Sequence, residues 1–460
     1  MTGIIFNKSN QNANLSTKFV KSKDVKKLKN KDMSAAGFKG KKATFFIRNH
    51  ILYIGIEGIK DANDWRELGY KTIQYLKKLS SKTVALDLPD ASNEFVEGLV
   101  LGDYEFNQYK SKIDEPKLKQ IVINCSKKVT NKLKKSIAKA KAQCITRDLV
   151  NTTPEDMYSD TILEYVSQLF DDTKVKVSWH EEEDLDELDM NGHLAVNRAS
   201  RHEAMTIKLT YKPKKKPKET IVLVGKGLTY DSGGLSIKPG NHMTTMKADK
   251  AGAMTLIGFM DYISKFGSNN KIVCYLAIAE NMIDGSAYKP DDVLTMKNGK
   301  TVHVKNTDAE GRLVLFDNLC LAQEENKKID KIYSLATLTG AAVYQFGDEA
   351  AALVGFNGKL KKEVIKKGKK SDEIFMNAEF HKYMMDGVKD SLADLSNTGT
   401  PNMGCQKAGL FLTNSIKKKN IKKYVHWDIA GPAFVDKSFG TNPAGGTGFG
   451  VRTLIELFGN

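Results

Sequence analysis

A chain of 460 residues with 41% hydrophobic and 8% aromatic side chains is long enough for roughly two to four domains and too apolar to be disordered. Lys and Arg number 71 against 55 Asp and Glu, a formal excess of +16. No run of about 18 apolar residues occurs, which excludes a membrane-spanning helix, and the scattered cysteines lead us to expect a cytoplasmic protein.

Met1–Lys23 carries no acid, but it has no arginine and no apolar block, which speaks against secretory or mitochondrial targeting. Lysine runs at 18–31, 127–141, 212–218, 359–370 and 417–423 supply much of the charge. The simplest expectation for them is solvated faces and loops. A nucleic-acid or polyanion-binding surface is the competing expectation, disfavoured because arginine and interleaved aromatics are scarce. Cys125, Cys144, Cys274, Cys320 and Cys405 show no CxxC spacing and are expected to be reduced, buried thiols.

Residues 1–127 are expected to form a small α/β domain. Two strands within Ala43–Ile56 flank an Arg48-Asn-His50 turn. Asp64 is placed to cap a helix carrying Trp65, Leu68, Ile73 and Leu76. Thr83–Leu88 is a strand, Asn93–Phe106 a helix and Ile121–Cys125 another strand. Nothing in this part carries evident chemistry, so a role in positioning subunits is expected. Residues 128–150, rich in lysine and helix formers, predict a linking helix stopped before Pro154.

Residues 151–460 are expected to form a larger domain. Helices are predicted over Thr161–Phe170, Ala251–Ile263 and Gly311–Glu325, with the acidic Glu181–Asp189 as a solvated helix face. Strands are predicted over Val175–Trp179, Thr206–Tyr211, Thr220–Val224, Lys271–Ala279, Ile332–Leu338 and Tyr424–Trp427. Such alternation indicates a mixed, mostly parallel sheet flanked by helices.

Chemistry concentrates between Thr220 and Leu313, where apolar runs end in charged residues, as ligands do at the rim of an α/β sheet. Asp231, Asp249, Asp308 and Glu310 are oxygen donors suited to divalent cations. Brought together without cations they would raise one another's pKa. Two divalent ions roughly 3.5–4 Å apart would cancel that charge and generate a hydroxide nucleophile. A lysine beside a dication loses its proton readily, so Lys226 is suited to ligate metal as a neutral amine. Lys238, beyond a Ser232-Gly-Gly turn, can polarise a carbonyl, and Arg312 can hold an anion.

Val224-Gly-Lys-Gly227, Tyr230-Asp-Ser-Gly-Gly234, Met246-Lys-Ala-Asp249 and Asn306-Thr-Asp-Ala-Glu-Gly-Arg-Leu313 resemble the leucine aminopeptidase (cytosol aminopeptidase) family, whose signature is the last octapeptide. Ala336-Thr-Leu-Thr-Gly340, Asp428-Ile-Ala-Gly431 and Thr447-Gly-Phe-Gly450 extend the likeness. The resemblance implies a two-metal exopeptidase in which Lys226, Asp231, Asp249 and Glu310 hold a tight ion, Zn or Mn. Asp231, Asp308 and Glu310, with the Asp308 carbonyl, would hold an exchangeable one, for which Mg or Co would also serve. It further implies that Lys238 binds the substrate carbonyl and that Arg312 holds a bicarbonate acting as general base. Met246, Thr337, Gly340 and Ala430 would line the pocket for the N-terminal side chain, of leucine or methionine type, and Asn306 would also bind substrate. Ala433, where some relatives carry methionine, suggests a roomier pocket. A peptide substrate and a homohexamer are implied as well.

Competing patterns fail. Asp231-Ser-Gly-Gly234 lacks a histidine partner set for a serine nucleophile. Gly225-Lys226 lacks the glycine and hydroxyl positions of a phosphate loop. A metallophosphatase would use the same two-metal logic and is disfavoured, because Lys226 as a ligand and the octapeptide resemble aminopeptidases. His242 and His303 are expected to be structural or rim residues, and Glu280 a possible neighbour of the ligands.

Overall fold

Ile221, Val222 and Val224 are β-branched and favour a strand, and in the computed structural model they and Leu223 are buried. The structure describes residues 2–7, 13–28, 30–88, 93–124, 127–379, 381–399 and 402–460. It comprises two units, Met1–Cys144 with Ser438–Asn442 and Ile145–Lys437 with Pro443–Asn460. The helix Lys127–Asn151 contains the first division between them.

The smaller unit has a six-stranded sheet in the order Gly3–Asn7, Gln120–Asn124, Thr83–Asp87, Leu15–Val20, Ile51–Gly55, Phe45–Arg48. Only the Phe45–Arg48 edge pairs antiparallel. Leu52, Ile54, Val84 and Leu86 from the sheet pack with Leu68, Phe95 and Leu99 from helices Ala62–Leu76 and Asn93–Asp103. The first of these helices is capped by Asp61, not Asp64. Asp61 accepts from the backbone N–H groups of Asn63 and Asp64 at 2.9 and 3.0 Å. Asp64 lies within the first turn and pairs with Lys42 instead. Arg66 and Glu97 form a buried ion pair at 2.9 Å, joined by Lys139.

The larger unit has an eight-stranded sheet in the order Ile374–Asn377, Ala350–Val354, Tyr424–Asp428, Lys331–Ala336, Thr220–Asp231, Lys271–Asn281, Met205–Tyr211, Val175–His180. Its four central strands are mutually parallel, and antiparallel pairings begin on either side. Even-numbered residues Val222, Val224 and Leu228 share a core with Leu313, Phe316 and Leu319 of helix Gly311–Glu325. On the opposite face, Gly225 lies against Ala253 of helix Ala251–Phe266.

The strand predicted over Thr220–Val224 runs on to Asp231, in register with Lys271–Asn281. Lys226 and the glycines on either side of it break the apolar pattern, so composition alone ended the strand too soon. The lysine run 359–370 is an amphipathic helix, Gly358–Ser371, with Leu360, Val364 and Lys361 buried. Cys144, Cys274, Cys320 and Cys405 are free and buried, whereas Cys125 lies outside the described residues. Among the described residues no helix is long and apolar enough to cross a membrane.

Candidate active site

The four central strands end at Asp231, Asn281, Ala336 and Asp428, so one edge of the sheet gathers polar groups where the apolar strands run out. Lys226 sits inside its strand. Strand alternation places its side chain on the face opposite Gly225 and Gly227. Its ammonium lies 2.8 Å from Asp249 Oδ2 and 2.7 Å from Glu310 Oε1, and it donates to the Thr337 carbonyl at 3.0 Å. Gly311 makes this possible, because a Cβ there would come within 2.6 Å of Lys226 Nζ.

Asp249 belongs to the short turn Met246–Lys250 that opens helix Ala251–Phe266, and Thr337 Oγ1 donates to it at 2.7 Å. Asp231 accepts from Gly233 N at 2.9 Å and Asn281 Nδ2 at 2.8 Å through Oδ1. Its other oxygen faces Lys238 Nζ at 2.7 Å. Between them the chain reverses at Gly233, where φ is +87° and a Cβ would meet Ser236 O at 2.6 Å. That reversal also brings Lys238 to Asp308 Oδ1 at 2.5 Å. Asp308 N donates to Asn306 Oδ1 at 2.7 Å, holding the loop before helix Gly311–Glu325. Arg312, in the first turn of that helix, donates from Nη1 to Asn397 O at 2.7 Å, while its buried Nε has no partner.

Electrostatics follow from this crowding. Burial works against the charged form of Lys226, but Asp249, Glu310 and Asp231 outweigh it and hold its pKa above the usual lysine value. Lys238 is raised in the same way, with Asp231 as the foremost carboxylate. Burial, then the charges of Asp231 and Glu310, push Asp308 up to about 7. Asp249 is raised, chiefly by burial. Among the protein's own charges Lys226 is therefore an ammonium. The neutral amine expected from the sequence requires a field that only added cations supply.

Carboxylate oxygens of Asp231, Asp308 and Glu310 lie within 4.8 Å of one another, a donor set that fits hard or borderline divalent cations. The cavity over them has a volume of about 690 Å³. Lys226, Asp231, Lys238, Asp249, Asp308, Glu310 and Arg312 line it, and so do Met246, Asn306, Thr337, Gly340 and Ala430. The twelve positions expected to hold metal ions, an anion or substrate thus line one cavity.

The model of the cytosol aminopeptidase family catalytic domain matches residues 144–455, and that of the family's N-terminal domain matches 49–113. A probable cytosol aminopeptidase of Wolinella succinogenes is 38% identical over 440 residues, covering 92% of this chain and 90% of that one. The chain belongs to the cytosol aminopeptidase family. It is a peptide hydrolase of the aminopeptidase type. A probable cytosol aminopeptidase of Campylobacter jejuni is 37% identical, over 95% of this chain and 92% of its own. Among solved structures, the bottromycin maturation enzyme BotP in complex with Mn is similar, with a TM-score of 0.87 and 28% identity over 97% of this chain and 98% of that one. A tomato leucine aminopeptidase mutant has a TM-score of 0.87 and 26% identity over 99% and 96%.

Several residues that shape this aminopeptidase site carried no sequence expectation. Asn281 orients Asp231, and Asn397 holds both Arg312 and, through its Nδ2 at 2.6 Å, the Asn306 carbonyl. Tyr288 OH donates to the Thr307 carbonyl at 2.6 Å, bracing the 306–310 loop. An amide or phenol looks like any other until the fold brings it to a site, so no local pattern announces these groups. Ser232 donates to Asn281 O at 2.8 Å and is tied up in the turn. His303 pairs with Asp390 and Asp291, outside the cavity, whereas His242 lines it. Glu280 accepts from Ser200 at 2.6 Å and is not among the lining residues. Ala433 is buried and does not line the cavity either.

Proposed function

We propose that this chain releases N-terminal residues from peptides with the help of two divalent cations. The supporting observation is the charge imbalance: among the described residues, Asp231, Asp249, Asp308 and Glu310 form ion pairs with two cations, Lys226 and Lys238. Lys226, Asp231, Asp249 and Glu310 would hold the tighter ion, and Asp231, Asp308 and Glu310 the exchangeable one. Zn or Mn suits the first, and Mg or Co also the second. Such ions supply a nucleophile from water at neutral pH and draw electron density from the scissile carbonyl.

The remaining work falls to the chain's own groups. Lys238, at the mouth of the cluster, would donate to the carbonyl oxygen as negative charge grows on it. Arg312, held by Asn397 with its Nε free, would bind a small anion such as bicarbonate that takes the proton from water. Met246, Thr337, Gly340 and Ala430 would receive a leucine- or methionine-like side chain, and Asn306 would contact the substrate backbone. Exopeptidase action follows if the free amino group binds at the metal cluster. We further propose a homohexamer acting in the cytosol.

The test uses leucine, methionine, alanine and aspartate amides with metal-stripped and reloaded protein. Hydrolysis of the apolar amides should vanish on chelation and return with Mn or Zn, with elemental analysis giving about two ions per subunit. Full activity in chelator would refute the metal reading, and no hydrolysis by any loaded form would refute the substrate class.

A further inference from the structure

One buried carboxylate at the sheet's edge stands outside the metal cluster. Asp428 ends the strand Tyr424–Asp428 and is fully buried. Burying a carboxylate is costly unless strong hydrogen bonds offset the lost hydration. Asp428 Oδ1 accepts from Leu338 N at 3.1 Å and from Ala430 N at 3.2 Å. Its Oδ2 accepts from Thr339 Oγ1 at 2.7 Å. Thr339 Oγ1 in turn accepts from Ala342 N at 3.0 Å, capping helix Gly340–Phe346.

These bonds join two loops that leave neighbouring parallel strands, one after Ala336 and one after Asp428 itself. Both loops face the cavity, the first through Thr337, Leu338 and Gly340, the second through Ala430. A backbone bond from Ile429 N to Ala336 O at 2.8 Å holds the two loops at their base, and the Asp428 side chain ties them further out, at Leu338 and Thr339. A neutral apolar residue would fill the space more cheaply, but it would leave the N–H groups of Leu338 and Ala430 without these bonds and the loops without a shared anchor.

We propose that Asp428 is a positioning residue that sets the width of the pocket receiving the substrate's N-terminal side chain. This rests on the pocket assignment in the proposed function. Asp428 touches neither substrate nor metal ligand; it acts through Leu338, Thr339 and Ala430.

The test compares leucine and alanine aminomethylcoumarin amides on metal-loaded wild type, Asp428→Asn and Asp428→Ser, with metal content measured for each. Asparagine keeps an oxygen that both N–H groups can reach, so its leucine-to-alanine ratio in kcat/KM should stay within about twofold of wild type. Serine is too short to span the loops, and the ratio should fall about tenfold, mainly through KM for the leucine amide. Metal content should be unchanged in both. Should the serine variant not fold, Thr339→Val removes the Oδ2 bond together with the cap to Ala342 N, and should shift the ratio about threefold in the same direction. An unchanged ratio in the truncated variant, or equal losses on both substrates, would overturn the proposal. Equal loss of selectivity in Asp428→Asn would also overturn it, since charge and not reach would then be the cause. A wild type indifferent to side-chain size would sink the pocket assignment together with this inference. A selective wild type with an unaltered variant would sink this inference alone.

Discussion

Each unit of the molecule buries charge beside a largely parallel sheet, but with opposite balance. In the smaller unit Glu97 meets Arg66 and Lys139, so the carboxylate is matched by cations between packed elements. In the larger unit four carboxylates share two lysines, and Asp308 is driven up to about 7 by burial and its neighbours. A matched buried pair is an architectural device, stable as it stands. An unmatched cluster at the end of strands is costly until something positive arrives, and such a cluster reads as a site.

The comparison breaks most sharply if removing an unmatched acid leaves chemistry intact. Asp249→Asn should lose the tighter ion first, and kcat/KM on leucine amide should fall by about 1,000-fold or more. Unchanged stoichiometry by elemental analysis would contradict its role. Lys238→Ala should retain about two ions per subunit, yet lower kcat by about 100- to 1,000-fold, since it removes a donor to developing charge. Wild-type turnover in that variant would remove this lysine from the mechanism.

The matched pair should behave the other way. Glu97→Gln leaves Arg66 and Lys139 facing a neutral group and should cost about 3–5 kcal/mol of stability, read by denaturant melts. Protein that remains folded should keep its kcat. A drop in kcat without a change in stability would erase the distinction between the two regions.

The smallest effect is a pH-dependent one in metal-stripped protein. Asp308 titrates higher in the folded chain than when unfolded, so its contribution favours folding below about pH 4 and is lost as pH rises towards about 7. Stripped Asp308→Asn should therefore match stripped wild type in acid. Above neutrality it should melt about 2–4 °C higher. A gap that is constant across pH would mean that Asp308 titrates normally.

Much of the polar edge of the larger sheet was legible because its residues are clustered in sequence as well as in space. Asp308, Glu310 and Arg312 sit within five residues, and two lysines bracket Asp231 at short range. The parallel strands were legible where β-branched runs such as Ile221–Val224 and Lys271–Ala279 lack polar interruption. Lys226 defeated the strand boundary because a buried lysine is affordable only among acids that arrive from elsewhere in the chain. Strands Gly3–Asn7 and Leu15–Val20 escaped notice, since each is short and the second ends in a lysine-rich stretch. Asn281, Asn397 and Asp428 reach partners 26 to 92 residues away, from Asn281 Nδ2 bonding the Thr307 carbonyl to Asn397 Oδ1 accepting from Lys305 N. Only folding makes them neighbours.

Gly311 shows what an absent side chain can do. The stem of Lys226 passes beneath the first turn of a helix like a bolt under a hasp, and there is no slack for even a methyl group. Alanine at that position would act as a wedge, forcing either the helix or the lysine aside while leaving every acid intact. Variation at a residue with no donor atom of its own would then be felt first as lost metal affinity, well before the protein became easier to melt.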